Sequence, residues 1–255
     1  MNNQAAIAFR SVTKKFPVQT DKTAKEIIPS LLRGRSWAVN HTVLSNVSFS
    51  ISVGESVGIV GRNGAGKSTI LKLIAGVTYP TKGTIETIGT VAPLIELGAG
   101  FHHELSGYEN IFLNGAILGM SKRQIEERID AIIAFSELGN FIHTPVKRYS
   151  SGMMMRLGFS VAAQMPAPIL LIDEVLAVGD VSFQRKCLDF LEDIKKQRKR
   201  TIIFVSHAEE QVKEFCDRVL LLDKGKIVLD GSPREAFGSY HALLKENNGM
   251  AVNLE

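Results

Sequence analysis

Residues Gly61 to Ser68 read GRNGAGKS. The stretch fits the pattern G-x-x-x-x-G-K-[ST], whose parts each have a physical task. Glycines let the backbone turn sharply, so that successive N–H groups can wrap phosphate oxygens. A lysine after the last glycine brings positive charge to the β- and γ-phosphates, and the next hydroxyl can meet Mg²⁺. Here Gly61, Asn63, Gly64 and Gly66 supply the loop, Lys67 the charge and Ser68 the hydroxyl, with Thr69 following them. The pattern has meaning only between a strand and a helix whose N-terminus adds positive potential. Ser56–Val60 is apolar enough for a buried strand, and Lys67–Ala75 reads as the helix.

Further along, Ile169–Ile172 is a second apolar strand and ends in Asp173 and Glu174. Acids at the end of a buried strand cost desolvation energy unless they have partners. Beside a phosphate loop, Asp173 is expected near Mg²⁺, and Glu174 to orient or activate an attacking water. A third strand, Thr201–Ser206, runs into His207. Ligands of parallel sheets bind outside the carboxyl ends of the strands, so His207 is placed to reach a γ-phosphate by a hydrogen bond.

The remaining pattern is α/β. Ala5–Arg10 and Val47–Ile51 read as strands, Ser106–Met120, Ser121–Leu138, Ser151–Gln164 and Ser182–Gln197 as helices, and Arg218–Asp230 as a hairpin turning at Lys224-Gly225. Ser232-Pro233-Arg234-Glu235 opens a last helix with a serine cap, proline in the first turn and glutamate in the capping-box position. Strands alternating with helices predict a mainly parallel sheet. The helix-rich stretch of about 105–165 interrupts the alternation and reads as an inserted helical subdomain. The expected domain is 1–246, with an insertion over about 17–40 and a short, frayed tail at 247–255.

The 255 residues are 45% hydrophobic and 22% charged, ordinary for a globular chain, and the net charge of +4 is too weak to argue for nucleic acid. Two cysteines, Cys187 and Cys216, imply no disulfide framework, and a reducing compartment is the default. The N-terminus lacks a secretory signal. The longest uncharged run, Leu157–Ile172, is shorter than the roughly 20 residues that span a bilayer and contains Pro166 and Pro168. Any work at a membrane needs another chain to do the spanning. The basic run Lys195–Arg200 reads as a solvated helix end.

One stretch stays odd on these terms: YSSGMMMRLGFSVA, Tyr149–Ala162, small polar residues ahead of three methionines. The order of phosphate loop, Ser-Ser-Gly before an arginine-bearing helix, strand ending Asp-Glu, Gly179-Asp180 and histidine after a strand resembles the ATP-binding cassette (ABC) ATPases. The resemblance covers roughly Ala5 to Leu244. It implies an α/β P-loop NTPase core with an antiparallel β subdomain, and it implies ATP and Mg²⁺ as cofactors. It makes Tyr149-Ser150-Ser151-Gly152-Met153 the signature loop, which closes on the γ-phosphate held by the P-loop of a second subunit. Ser150, Ser151, Gly152 and Asp180 thereby join the nucleotide site, and Met154 and Met155 fall to packing behind the loop. Ser151 stands where the family usually has glycine and Met153 where it has glutamine. Glu96 falls at the position of the family's Mg²⁺-contacting glutamine. A carboxylate binds Mg²⁺ more strongly but cannot donate a hydrogen bond. The adenine is expected to stack on Phe16, with Trp37 as the runner-up.

The segment before Trp37-Ala38-Val39-Asn40, the run IELGAGFHHELSGYENI (Ile95–Ile111) and the signature stretch look like one branch of that family. That branch holds the ATPase subunits that export O-antigen, capsular polysaccharide or teichoic acid, and the likeness is nearest to the Wzt type. It implies a Wzm-like integral-membrane permease, a homodimer of this chain in a 2+2 complex, an undecaprenyl-diphosphate-linked polysaccharide as cargo and no nucleic acid. It also implies a place at the cytoplasmic face of the bacterial inner membrane. Some members carry a further β-sandwich that binds the glycan end, and none is expected within these 255 residues. The basic, amphipathic insertion before Trp37 reads equally as a membrane-facing element or a surface excursion. Other readings are an exporter of different cargo, a non-transport ABC ATPase and a small-molecule P-loop kinase. The last leaves the signature and His207 unexplained.

Overall fold

The computed structural model describes residues 4–18, 39–94, 98–173, 180–206 and 208–251. In chain order its strands are β1 (Ala5–Val18), β2 (Val39–Ser52), β3 (Ser56–Gly61), β4 (Lys82–Thr87), β5 (Val91–Leu94), β6 (Ile169–Ile172), β7 (Thr201–Val205), β8 (Arg218–Asp223) and β9 (Lys226–Gly231). The helices are α1 (Lys67–Ile74), α2 (Gly107–Ile117), α3 (Lys122–Glu126), α4 (Ile129–Ser136), α5 (Ser151–Ala163), α6 (Val181–Gln197), α7 (Glu209–Phe215) and α8 (Pro233–Ala251).

Two sheets face each other. The larger runs β5-β6-β7-β3-β8-β9 and is parallel except for the β8–β9 hairpin; the smaller is antiparallel, β2-β1-β4. Period-two alternation sorts the buried strands of the larger sheet cleanly. Val57, Ile59, Ile169, Leu171, Ile203, Val205, Leu220 and Leu222 turn to one core, shared with α1 and the small sheet. Val60, Leu170, Ile172, Ile202, Phe204, Val219 and Leu221 turn to the other, shared with the helices. Strands covered on both faces read as continuous apolar runs, which is why β3, β6 and β7 stood out in the sequence.

The helical subdomain and α5 meet the sheet through Phe159, which is fully buried among Phe135, Phe183 and Phe190 at ring-centroid distances of 5.8, 6.1 and 6.2 Å. Phe159→Ala is expected to cost about 3–5 kcal/mol. Urea unfolding checks this: the midpoint should fall sharply with the slope unchanged.

Several expectations shift. The β1–β2 ribbon is longer than Ala5–Arg10 and Val47–Ile51, because Pro17 pairs with Asn40 and Val18 with Val39. The insertion is thereby trimmed to 19–38, which lie outside the described residues. The helix expected at Ser121–Leu138 is two, α3 and α4, parted at Glu127–Arg128; Ile125 and Ile132 still reach the core. Helix α8 runs through Ala251, beyond the expected fraying at Asn247. Arg200 is no solvated helix end: it is half-buried and donates to the Ala163 carbonyl at 3.2 Å, capping the end of α5. Cys187 and Cys216 are unpaired, and burial pushes both thiols up to about 12, so they are inert at neutral pH. No helix among the described residues is long and apolar enough to cross a membrane.

Candidate functional site

The phosphate loop leaves the end of β3 in the middle of the parallel sheet and enters α1. Gly66 is the N-cap residue of α1 with φ 109°, a conformation that excludes a side chain; a Cβ there would also stand 2.7 Å from Leu44. Gly61 has its own reason. A Cβ on it would lie 2.2 Å from the carbonyl oxygen of Leu222 on β8. Lys67 is buried, and its Nζ donates to the Gly61 and Arg62 carbonyls at 2.7 and 3.2 Å, across the mouth of its own loop. Ser68 is exposed and Thr69 half-buried on the first turn of α1; Asn63 and Gly64 are exposed at the loop's crown. The loop is braced from outside. Gly225, at the positive-φ turn of the β8–β9 hairpin, donates to Ala65 at 3.1 Å and accepts from Ser45 of β2 at 2.9 Å.

Asp173 leaves β6 half-buried, and Ser206 follows β7 buried; with β3 these strands are neighbours in the order β6-β7-β3. Their carboxyl ends share one edge because the three are parallel. That edge therefore collects a lysine ammonium, a serine hydroxyl, backbone N–H groups at a helix start and a carboxylate. The set suits a polyphosphate and a hard cation: the hydroxyl and the carboxylate are the oxygen donors that Mg²⁺ takes. Glu174 and His207, expected beside them, lie outside the described residues, as do Glu96 and Trp37. Phe16 sits on β1 opposite His41, 39% exposed, with Lys14 Nζ 4.7 Å above its ring. The ribbon that carries it passes the phosphate loop at Val43–Ser45.

The signature stretch is built apart from this edge. Ser150 is the N-cap of α5, and its Oγ accepts from the Met153 N–H at 3.2 Å, leaving its own proton free to donate. Ser151 and Gly152 form the first turn behind it. Tyr149 anchors the approach: its buried hydroxyl donates to the Phe141 carbonyl at 2.8 Å, and burial raises its pKa. Met153 and Met154 pack against the core, and Met153 and Met155 line an open cavity of about 660 Å³. Met155 is half-buried, as are the other two. Ser150, Ser151, Gly152, Arg156 and Asp180 line the same cavity, and no residue of the phosphate loop does.

Asp180 caps α6, accepting from the Phe183 N–H at 3.0 Å and the Ser182 hydroxyl at 2.7 Å, and it pairs with Arg156. The Phe183 N–H, then Ser182, then Arg156 hold its carboxyl down at about 2. The folded pKa is depressed, so the stability this cap gives is present above the ordinary carboxylate value near 4 and is lost as pH falls through about 2. An NMR titration of the side-chain carboxyl should place its midpoint there, and Ser182→Ala should raise it.

Sequence reasoning missed two asparagines that hold the loop leading into α2. On α2, fully buried Asn110 donates to the His102, Leu105 and Ser106 carbonyls at 3.0, 3.1 and 2.9 Å and accepts from the His102 N–H at 2.7 Å. Asn114, one turn on, donates to the Ala99 carbonyl at 3.1 Å. Together they fix the loop 98–106. The signal was present as polar residues on the inward face of a helix, where burial requires partners.

The family model described as "ABC transporter" matches residues 44–177. The chain belongs to the ABC transporter family. It is 47% identical over 242 residues to an O-antigen export system ATP-binding protein of Klebsiella pneumoniae, covering 92% of this chain and 96% of that one. To the ABC transporter protein AbcA of Aeromonas salmonicida it is 45% identical, covering 95% of this chain and 78% of that one. A teichoic acids export ATP-binding protein of Bacillus cereus is 43% identical, and the match covers 96% of this chain but only 44% of that longer one. Among solved structures, an ATP-binding subunit of an ABC transporter superposes with a TM-score of 0.71 at 22% identity, covering 91% of this chain and 93% of that one. A dimeric ATP-binding cassette bound to ADP and Pi gives 0.70 at 20% identity, covering 89% and 98%. At such identities the two structures attest the fold of this ABC chain: the cassette core with its two sheets and helical subdomain.

Proposed function

We propose that this ABC chain is the ATP-hydrolysing subunit of an exporter that moves lipid-linked polysaccharide of the O-antigen class across the bacterial inner membrane. The observation that carries the mechanism is the division of the site. The phosphate loop lies at the sheet edge, and the signature cavity holds none of its residues. A nucleotide gripped by both needs a second copy of the chain. Two ATP molecules are then sandwiched in a homodimer, each between one phosphate loop and the opposing Ser150, Ser151 and Gly152. Lys67 offsets phosphate charge, Glu174 polarises the water and His207 contacts the γ-phosphate. Ser68 and Asp173 would hold Mg²⁺, with Glu96 as a further oxygen donor, and the ion would neutralise charge developing on the phosphates. Phe16 is the described aromatic for the adenine, Trp37 the alternative.

The chain reaches the cytoplasmic face of the membrane through an integral-membrane permease, two of each forming the complex. A groove of about 400 Å³ between α1, β5, α2 and α5 supports this docking. Lys72, Val77, Pro93, Gly98, Asn114 and Ile117 line it, and Val77 and Ile117 are 72% and 59% exposed. The polysaccharide cargo, carried on undecaprenyl diphosphate, rests on the names of the relatives in O-antigen and teichoic acid export. The test is genetic and chemical. Cells lacking this chain should accumulate polyprenyl-diphosphate-linked polysaccharide inside and lose it outside, and the wild-type chain should restore export. Unchanged surface polysaccharide in its absence overturns the cargo.

A further inference from the structure

We propose that Glu137 is a positioning residue for the signature loop, acting through Arg156 and never touching nucleotide. The inference rests on the reading that this loop closes on a second chain's ATP. Glu137 follows α4 with φ 56°, in the left-handed region that favours glycine. A side chain kept there against backbone strain needs a return elsewhere. Its carboxylate accepts from Arg156 Nη1 at 3.3 Å through one oxygen and from Lys186 Nζ at 2.7 Å through the other. The other terminal nitrogen of Arg156 holds Asp180, and the guanidinium lies 5.0 Å above the ring of Phe183. Lys186 also donates to the Phe135 carbonyl at 3.0 Å.

One carboxylate thus ties three elements: the end of α4, the signature helix α5 and helix α6. The Arg156 side chain is only 17% exposed, so its direction is set by these partners and not by water. Glu137, Arg156 and Asp180 all line the cavity in front of Ser150 and Gly152. Without Glu137 the guanidinium keeps only Asp180 and the face of Phe183, and α5 loses its polar tie to the end of α4, the Phe135–Phe159 contact remaining. The first turn of α5 then meets the opposing γ-phosphate in poorer register, and small misplacements of positioning groups carry large rate penalties.

The test is Glu137→Gly with Glu137→Gln beside it, in the full chain assembled with its membrane partner. Glycine suits φ 56°, so folding is not what is lost; glutamine keeps the volume and removes the charge. Both should lower kcat about tenfold, while the Kd of a fluorescent ATP analogue at the phosphate loop stays within twofold and the Tm of the glycine variant does not fall. A merely structural role would lower Tm and kcat together. Glu137→Gly added to Arg156→Lys should cost nothing further, because both act through one guanidinium. Wild-type kcat in both variants, or a loss that adds fully to that of Arg156→Lys, overturns the proposal. Light scattering of the Glu174→Gln chain in ATP separates the two readings. A dimer with unchanged kcat in the Glu137 variants sinks Glu137 alone. No ATP-dependent dimer sinks the sandwich and the role of Glu137 with it.

Discussion

Lys67→Ala should abolish turnover, with kcat/KM for ATP falling by at least about a thousandfold, roughly 4 kcal/mol of lost stabilisation. The ammonium is buried and held by the Gly61 and Arg62 carbonyls, so it stands fixed at the centre of the loop and not swinging in water. A preorganised charge in a partly desolvated site is worth far more than one in solvent. Alanine removes the charge and keeps the helix, being the best helix former. The fold should therefore survive: far-UV circular dichroism unchanged, steady-state ATPase lost. A Lys67→Ala chain that hydrolyses ATP within tenfold of wild type would remove the lysine from its role.

Gly152→Asp should separate stability from activity. Gly152 is in the first turn of α5, where a carboxylate is favourable to the helix by roughly 0.3–1 kcal/mol through the macrodipole. The same carboxylate would face the phosphates of the opposing nucleotide, and like charge in a closing, desolvating interface is strongly repulsive. Tm should stay level or rise slightly, while ATPase falls at least about a hundredfold. A chain that keeps its ATPase would show that the first turn of α5 does not meet phosphate.

The parts of the fold legible in the sequence were those under strong constraint. The β3–loop–α1 unit, β6 and β7 were readable because strands buried on both faces have only one composition open to them. The hairpin turn at Lys224-Gly225 was readable from its glycine, which suits the φ of 74° at the second turn position; Lys224 holds the first at φ 45° without being a favoured residue there. Other elements carried weak local signals. Strand β4 is an exposed edge with little apolar alternation, and β5 contains Pro93, tolerated because it is the edge strand of its sheet. Helix α7 shows only Val212 and Phe215 to the core, too little periodicity to register over seven residues. The break between α3 and α4 was hidden because Ile125 and Ile132 keep helical spacing across it.

The site divides the same way. The phosphate loop and Asp173 follow from local motifs, and the structure places them at one sheet edge. The signature was legible only as a resemblance, since small polar residues before a helix are also an ordinary cap, which Ser150 is as well. The ties among Glu137, Arg156, Asp180 and Lys186 were not legible at all. Their sequence separations reach 49 residues, and no spacing rule joins them.

The most direct measurement uses the Glu174→Gln chain, expected to bind ATP and stay dimeric without turnover. It would be purified in ATP with its membrane partner, and everything bound would be identified by mass spectrometry. A permease carrying a polyprenyl-diphosphate glycan is the predicted result. Repeated recovery of the dimer with no membrane protein, or with a permease holding an unrelated ligand, would contradict the polysaccharide-export account.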